Sequence, residues 1–239
     1  MKRYLPLIII VGVLAVALGA GMTLWRSSKQ DNTNAQTFTQ QPTPVAAQTG
    51  APPNQIPISQ PGQPPVAAMH ERGGPTAKVM VEEYGDYQCP PCGMLFHDLK
   101  TIEKEYGTQI RFVFRHFPLQ GHKHAVTAAH AAEAAGLQGH FWEMHDMIYQ
   151  NQLSWSPADD ARPVFTQYAR DLKLDVDRFT RDMDSPDVAQ RVSADYQRGL
   201  TVGVNGTPTI FINGRQMNPN AVTLDGLRGA LDYMLGKKK

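Results

Sequence analysis

Glu83-Tyr84-Gly85-Asp86-Tyr87-Gln88-Cys89-Pro90-Pro91-Cys92 decides how this chain is read. The stretch leading into it, residues 78–84, is mostly apolar and β-rich, which predicts a strand. A helical pattern follows to about Tyr106, with Met94, Leu95, Leu99 and Ile102 near one face and Gly107 placed to end it. The only two cysteines of the 239 residues therefore stand at C-x-x-C spacing where a strand gives way to a helix. Cys89 falls at about the N-cap, Pro90 at the first helical position, which proline favours, and Cys92 one turn in. Unsatisfied N–H groups and the positive end of the helix dipole then face the Cys89 sulfur and stabilise its thiolate. That makes Cys89 a good leaving group, favours the dithiol over the disulfide, and leaves Cys92 as the buried resolving thiol.

Catalytic thiol exchange is weighed against three other readings. A purely structural C-x-x-C disulfide closes too short a loop to stabilise much. A zinc site from Cys89, Cys92, His122 and His124 needs both histidines to swing round to the motif. The third is chance placement. His116, His122, His124, His130, His140 and His145 are read as surface or core-edge residues, and Trp142, Met144 and Met147 as helix core. No metal and no cofactor is expected.

Outward from the motif, residues 110–117 predict a second strand stopped by Pro118, so the domain opens as a βαβ unit with a parallel strand pair. Helices are predicted over 124–135, around Phe141 to Ile148, over 163–172, 175–183 and 186–200. Residues 209–212 predict a short strand, Asn213-Gly214 a tight turn, 215–217 a return strand, and 224–235 a closing amphipathic helix. The fold class is α/β with a block of helices, about 120–200, inserted between its ends. Pro208, directly before a short apolar strand, marks either a cis peptide or an ordinary trans turn.

The rest of the chain differs in kind. Residues 5–25 are apolar and uncharged, and 21 residues at 1.5 Å rise span roughly 30 Å, enough to cross a bilayer. Lys2, Arg3 and the terminal amine favour a cytoplasmic N-terminus. Residues 1–26 are read as an uncleaved transmembrane anchor; a signal peptide cleaved near Gly19-Ala20-Gly21 is the other reading. Residues 27–75 hold nine of the 18 prolines and eight glutamines but no leucine, tyrosine or tryptophan, the composition of a disordered, semi-stiff tether. Residues 76–239 are expected to be the folded domain. The net charge of +1 combines +3 before residue 76 with −2 after it, so the basic surface of a nucleic-acid binder is absent.

The stretch 83–92, together with Arg115-His116-Phe117-Pro118-Leu119 and Gly206-Thr207-Pro208-Thr209, resembles the DsbA-like thioredoxin-fold family. Residues 131–136 and 141–145 look like its inserted helical subdomain. The resemblance implies a thioredoxin-like fold with Cys89 as nucleophile and Cys92 as resolving thiol. It also implies that Pro208 is a cis-proline facing the disulfide, and that Thr207 offers backbone groups to an extended substrate. Glu83 stands where the family often has a buried acid, a proton acceptor for Cys92; the alternative is a strand residue facing solvent or paired with lysine. Pro90 and Pro91 replace the Pro-His of strongly oxidising members, which puts the redox poise in question. Exposed apolar surface is expected around Cys89, for gripping unfolded chains.

The expected function is an extracytoplasmic thiol–disulfide oxidoreductase of the cytoplasmic (inner) membrane, single-pass, with its domain on the periplasmic or cell-surface side. Its substrates are reduced or misoxidised exported proteins, and the resemblance implies a membrane quinone-linked partner that reoxidises it. The rival readings are a reductase or isomerase kept reduced by a membrane donor, and a thiol-based copper-binding module.

Overall fold

Val79, Val81 and Glu83 point to one face of β2 (Val79–Gly85) and Met80, Glu82 and Tyr84 to the other; this is the strand on which the sheet is centred. The computed structural model describes residues 70–237. β2 leads into α1 (Pro90–Tyr106), which Gly107 terminates at φ 49°, its N–H capping the Glu103 carbonyl. The chain returns as β3 (Ile110–His116), parallel to β2 in a register running from Val79 opposite Ile110 to Gly85 opposite His116. β4 (Thr209–Ile212) pairs antiparallel with the other side of β2, and β5 (Arg215–Gln216) pairs with β4. The turn between them places Asn213 at φ 48° and Gly214 at φ 76°, the two positive values that a tight hairpin turn demands.

One strand was not legible. β1 (His70–Gly73) lies antiparallel on β3, giving the order β1-β3-β2-β4-β5. Composition assigned these residues to the tether, because His-Glu-Arg-Gly carries no apolar alternation. Their anchors are polar instead. His70 Nε2 lies 2.7 Å from Glu133, and Arg72 bonds Asp146 at 3.0 Å while its guanidinium stacks 4.1 Å from the Trp142 ring. The folded domain thus begins by residue 70 rather than 76.

The inserted block holds α2 (Ala125–Gly136), α3 (Phe141–Gln150), α4 (Gln152–Trp155), α5 (Arg162–Asp171), α6 (Val176–Met183) and α7 (Pro186–Thr201), and α8 (Leu224–Met234) closes the domain. Ala128, Ala131, Ala132 and Ala135 of α2 are fully buried, and such small side chains let α3, α6 and α7 pack closely against it. The expected anchor over residues 5–25 lies outside the described residues. Among those described, no helix is long and apolar enough to cross a membrane.

Successive side chains of β2 point to opposite faces of the sheet, and its two adjacent acids meet opposite fates. Glu82 pairs with Arg115 at 3.0 Å, and Arg115 pairs with Asp195 of α7 at 2.8 Å, all three buried. A buried ion pair is close to neutral for stability against an apolar replacement, whereas burying one aromatic or aliphatic side chain such as Phe112 contributes about 1.5–3 kcal/mol. The apolar core therefore supplies the stability, and the triad fixes α7 on the sheet. Removing Arg115 leaves the Glu82 and Asp195 carboxylates buried without the cation they share. Arg115→Ala is expected to lower unfolding stability by about 3–5 kcal/mol in a denaturant titration.

Candidate active site

Cys89 is the N-cap of α1, in extended conformation at φ −70° and ψ 118°, with Pro90 at the first helical position. Asp86 sets the approach: its carbonyl accepts from the Cys89 N–H at 3.1 Å, and its buried carboxylate accepts from the Gln88 and Leu119 N–H groups. Gln152 braces the same turn from α4, its amide donating to the carbonyls of Tyr87 (2.7 Å) and Cys89 (2.9 Å). Gly93 leaves room for this amide, since a β-carbon there would displace the end of the Gln152 side chain. The sulfur of Cys89 meets the Thr207 carbonyl at 3.4 Å, and Cys92 lies one turn deeper with no exposed surface.

Both cysteines are free thiols, and they differ sharply in acidity. Hydrogen bonding from the Cys92 thiol, with help from Thr207 and the Cys92 N–H, outweighs desolvation and lowers Cys89 to about 6. Burial, the hydrogen bond to Cys89 and the nearby Glu83 charge push Cys92 well above its ordinary value. One thiol is prepared to be a thiolate, the other to hold its proton.

Glu83 extends to the face of the sheet opposite Glu82. It is buried, its Oε1 has no hydrogen-bond partner, and desolvation raises its pKa to about 8. The solvent-facing and lysine-paired alternatives do not hold; it is the neighbouring Glu82 that has the cationic partner. Near neutral pH, Glu83 is a carboxyl group able to give or take a proton beside Cys92.

The peptide bond between Thr207 and Pro208 is cis. A groove of about 350 Å³ runs from this corner along α1, lined among others by Pro91, Met94, Leu95, Asp98, Thr207 and Pro208. Met94 is 68% exposed and Leu153, next to Gln152, 87%, in line with the expected apolar surface around the dithiol.

A thioredoxin family model matches residues 66–233. The chain belongs to the thioredoxin family. Its fold matches BdbD of Bacillus subtilis, in the oxidised form, with TM-score 0.64 at 24% identity over 73% of this chain and 97% of that one. The thiol–disulfide exchange protein alpha-DsbA2 of Wolbachia pipientis gives TM-score 0.59 at 21% identity, covering 69% and 86%. In sequence, 148 residues are 43% identical to a Na(+)/H(+) antiporter NhaA 1 of Salinispora arenicola, covering 62% of this chain and 22% of the antiporter. The chain spans less than a third of the length of the curated relatives it matches.

The fold brings Cys89, Cys92, Glu83, Thr207 and Pro208 together, with Pro90 starting the helix and Pro91 lining the groove. Asp86, Gln88, Gln152, His122 and His124 were missed as site residues. Gln88 joins two loops, its amide donating to the Ser156 carbonyl and its carbonyl accepting from the His124 N–H. His116, His124 and His145 are buried rather than at the surface or core edge, because each ring meets a polar partner: Glu133, the Ala158 carbonyl and Asp146 respectively. Desolvation keeps His145 low, at about 4. The zinc arrangement is not formed: His122 is bonded to Asp86 and His124 to Ala158. Among the described residues, His70, His116 and Glu133 do converge, but Arg191 occupies the same carboxylate at 2.6 Å, which makes the cluster a buried ion-pair network.

Two outcomes check this site. In the reduced protein, alkylation of Cys89 should rise with a midpoint near pH 6, while Cys92 stays unreactive to pH 9. Glu83 has a folded pKa raised above its unfolded value, so its stabilising contribution is present below about pH 4.5 and lost as pH rises through about 8. Glu83→Gln should therefore stabilise the reduced protein by roughly 2 kcal/mol or more at pH 9, and much less at pH 5, in urea titrations at the two pH values.

Proposed function

We propose that this chain is a DsbA-like disulfide oxidoreductase that works outside the cytoplasm as an oxidase, making disulfides in exported proteins. The carrying observation is the geometry of the dithiol: Cys89 at the N-cap of α1 against the Thr207 carbonyl and the cis Thr207–Pro208 bond, with Cys92 fully buried one turn on. A substrate thiolate attacks the Cys89 sulfur of the Cys89–Cys92 disulfide. The S–S bond breaks, and Cys92 leaves and takes a proton from the Glu83 carboxyl. The substrate's second thiolate then attacks its own sulfur in the mixed disulfide and expels Cys89, which leaves readily as a thiolate. Two electrons pass to the enzyme and a disulfide is left in the substrate. The backbone at Thr207 and Pro208 offers an extended substrate segment a strand to pair with, and the groove beside Met94 takes its side chains.

Residues 1–239 hold no third cysteine, so the reading takes reoxidation to come from outside this stretch. A quinone-linked membrane partner is the proposed acceptor. The apolar run over residues 5–25, preceded by Lys2 and Arg3, supports placement as a single-pass protein with the oxidoreductase domain on the extracytoplasmic side.

A reductase or isomerase is the second reading, favoured by one observation. A value of about 6 for Cys89 is nearer the ~7 of thioredoxin than the ~3.5 of DsbA. Acid-quench thiol trapping in cells separates the two. An oxidase is recovered mainly as the Cys89–Cys92 disulfide; recovery mainly as the dithiol establishes the reductase reading. Cys89→Ser should abolish oxidative refolding of a reduced, cysteine-containing substrate, with activity falling to the uncatalysed rate.

A further inference from the structure

The Asp86 carboxylate is a negative side chain that works against the nucleophile, more weakly than burial does. It is buried, it stands three residues before Cys89, and its charge opposes formation of the Cys89 thiolate. Nothing between the cysteines offsets it, since neither Pro90 nor Pro91 carries a polar side chain or a backbone N–H. The offset comes from a different loop. After β3, the chain turns at Leu119 to His122, where the His122 N–H bonds the Leu119 carbonyl at 3.0 Å. This turn delivers two donors to one Asp86 oxygen: the Leu119 N–H at 2.8 Å and His122 Nδ1 at 2.6 Å. The other oxygen takes the Gln88 N–H at 2.7 Å. His122 is the side-chain member of this set, and its ring is about a quarter exposed.

We propose that His122 is a positioning residue for the nucleophile, acting through Asp86. Its Nδ1–H fixes the Asp86 carboxylate and draws its charge away from the Cys89 sulfur. The active dithiol of this chain is thus tuned from outside the C-x-x-C motif. The two backbone donors keep Asp86 anchored without His122, so removing the ring separates tuning from folding.

The test reads the Cys89 thiol itself and is independent of the direction of electron flow, so its failure leaves the oxidase and reductase readings untouched. His122→Leu and His122→Asn are compared with the native chain. Asparagine puts an amide N–H close to where Nδ1 stands, and leucine offers none. For His122→Leu, the Cys89 alkylation rate at pH 6 should fall at least threefold. Its equilibrium with glutathione should move at least threefold toward the Cys89–Cys92 disulfide, about 14 mV. His122→Asn should stay within twofold of the native chain on both readouts. Equal behaviour of the leucine variant and the native chain overturns the proposal, as does an equal shift in both variants. If the leucine variant does not fold, Asp86→Asn decides: loss of the opposing charge should raise the Cys89 alkylation rate at pH 6, and an unchanged or lower rate overturns the proposal.

Discussion

The unequal sharing of one proton between Cys89 and Cys92 is the interaction on which the rest of this structure depends. A thiolate at Cys89 needs hydrogen-bond donors and a helix N-terminus; a thiol at Cys92 needs burial and a carboxyl neighbour. The β2–α1 junction supplies both within four residues, because Cys89 sits at the N-cap with a trace of exposed surface while Cys92, one turn on, has none. The loop 86–88, Gln152 and the cis-proline corner all hold that junction in place. They do so largely through backbone atoms of the motif, which leaves its side chains free for chemistry.

The acids of β2 show how position decides role. Glu82 and Glu83 are chemically almost identical and both are buried. One points at Arg115 and becomes part of a structural triad; the other points at the dithiol with no cation bonded to it. The strand's two-residue period makes this division, and a one-residue slip of register would exchange the two roles.

Much of this was legible in the sequence because it rests on local patterns. The C-x-x-C spacing, the proline at the helix start, Gly107, the alanine-rich α2 and Asn213-Gly214 each report their own backbone conformation. The missed features depend on partners far along the chain. Asp86 meets His122 across 36 residues and Gln152 meets the Cys89 carbonyl across 63, so neither residue type announces its task. β1 was missed for a related reason: its side chains are held by ion pairs and stacking to α1, α2 and α3 rather than by an apolar stripe. Buried histidines were misplaced because burial of an imidazole depends on the partner waiting for it.

The reduction potential of the Cys89–Cys92 couple, measured by equilibration with glutathione, tests the central claim most directly. Stabilising the Cys89 thiolate stabilises the reduced form, so the potential should lie above the roughly −270 mV of thioredoxin and below the roughly −120 mV of DsbA. A value at or below that of thioredoxin would show that the Cys89 thiolate is not stabilised by its place in the fold, and would contradict the account.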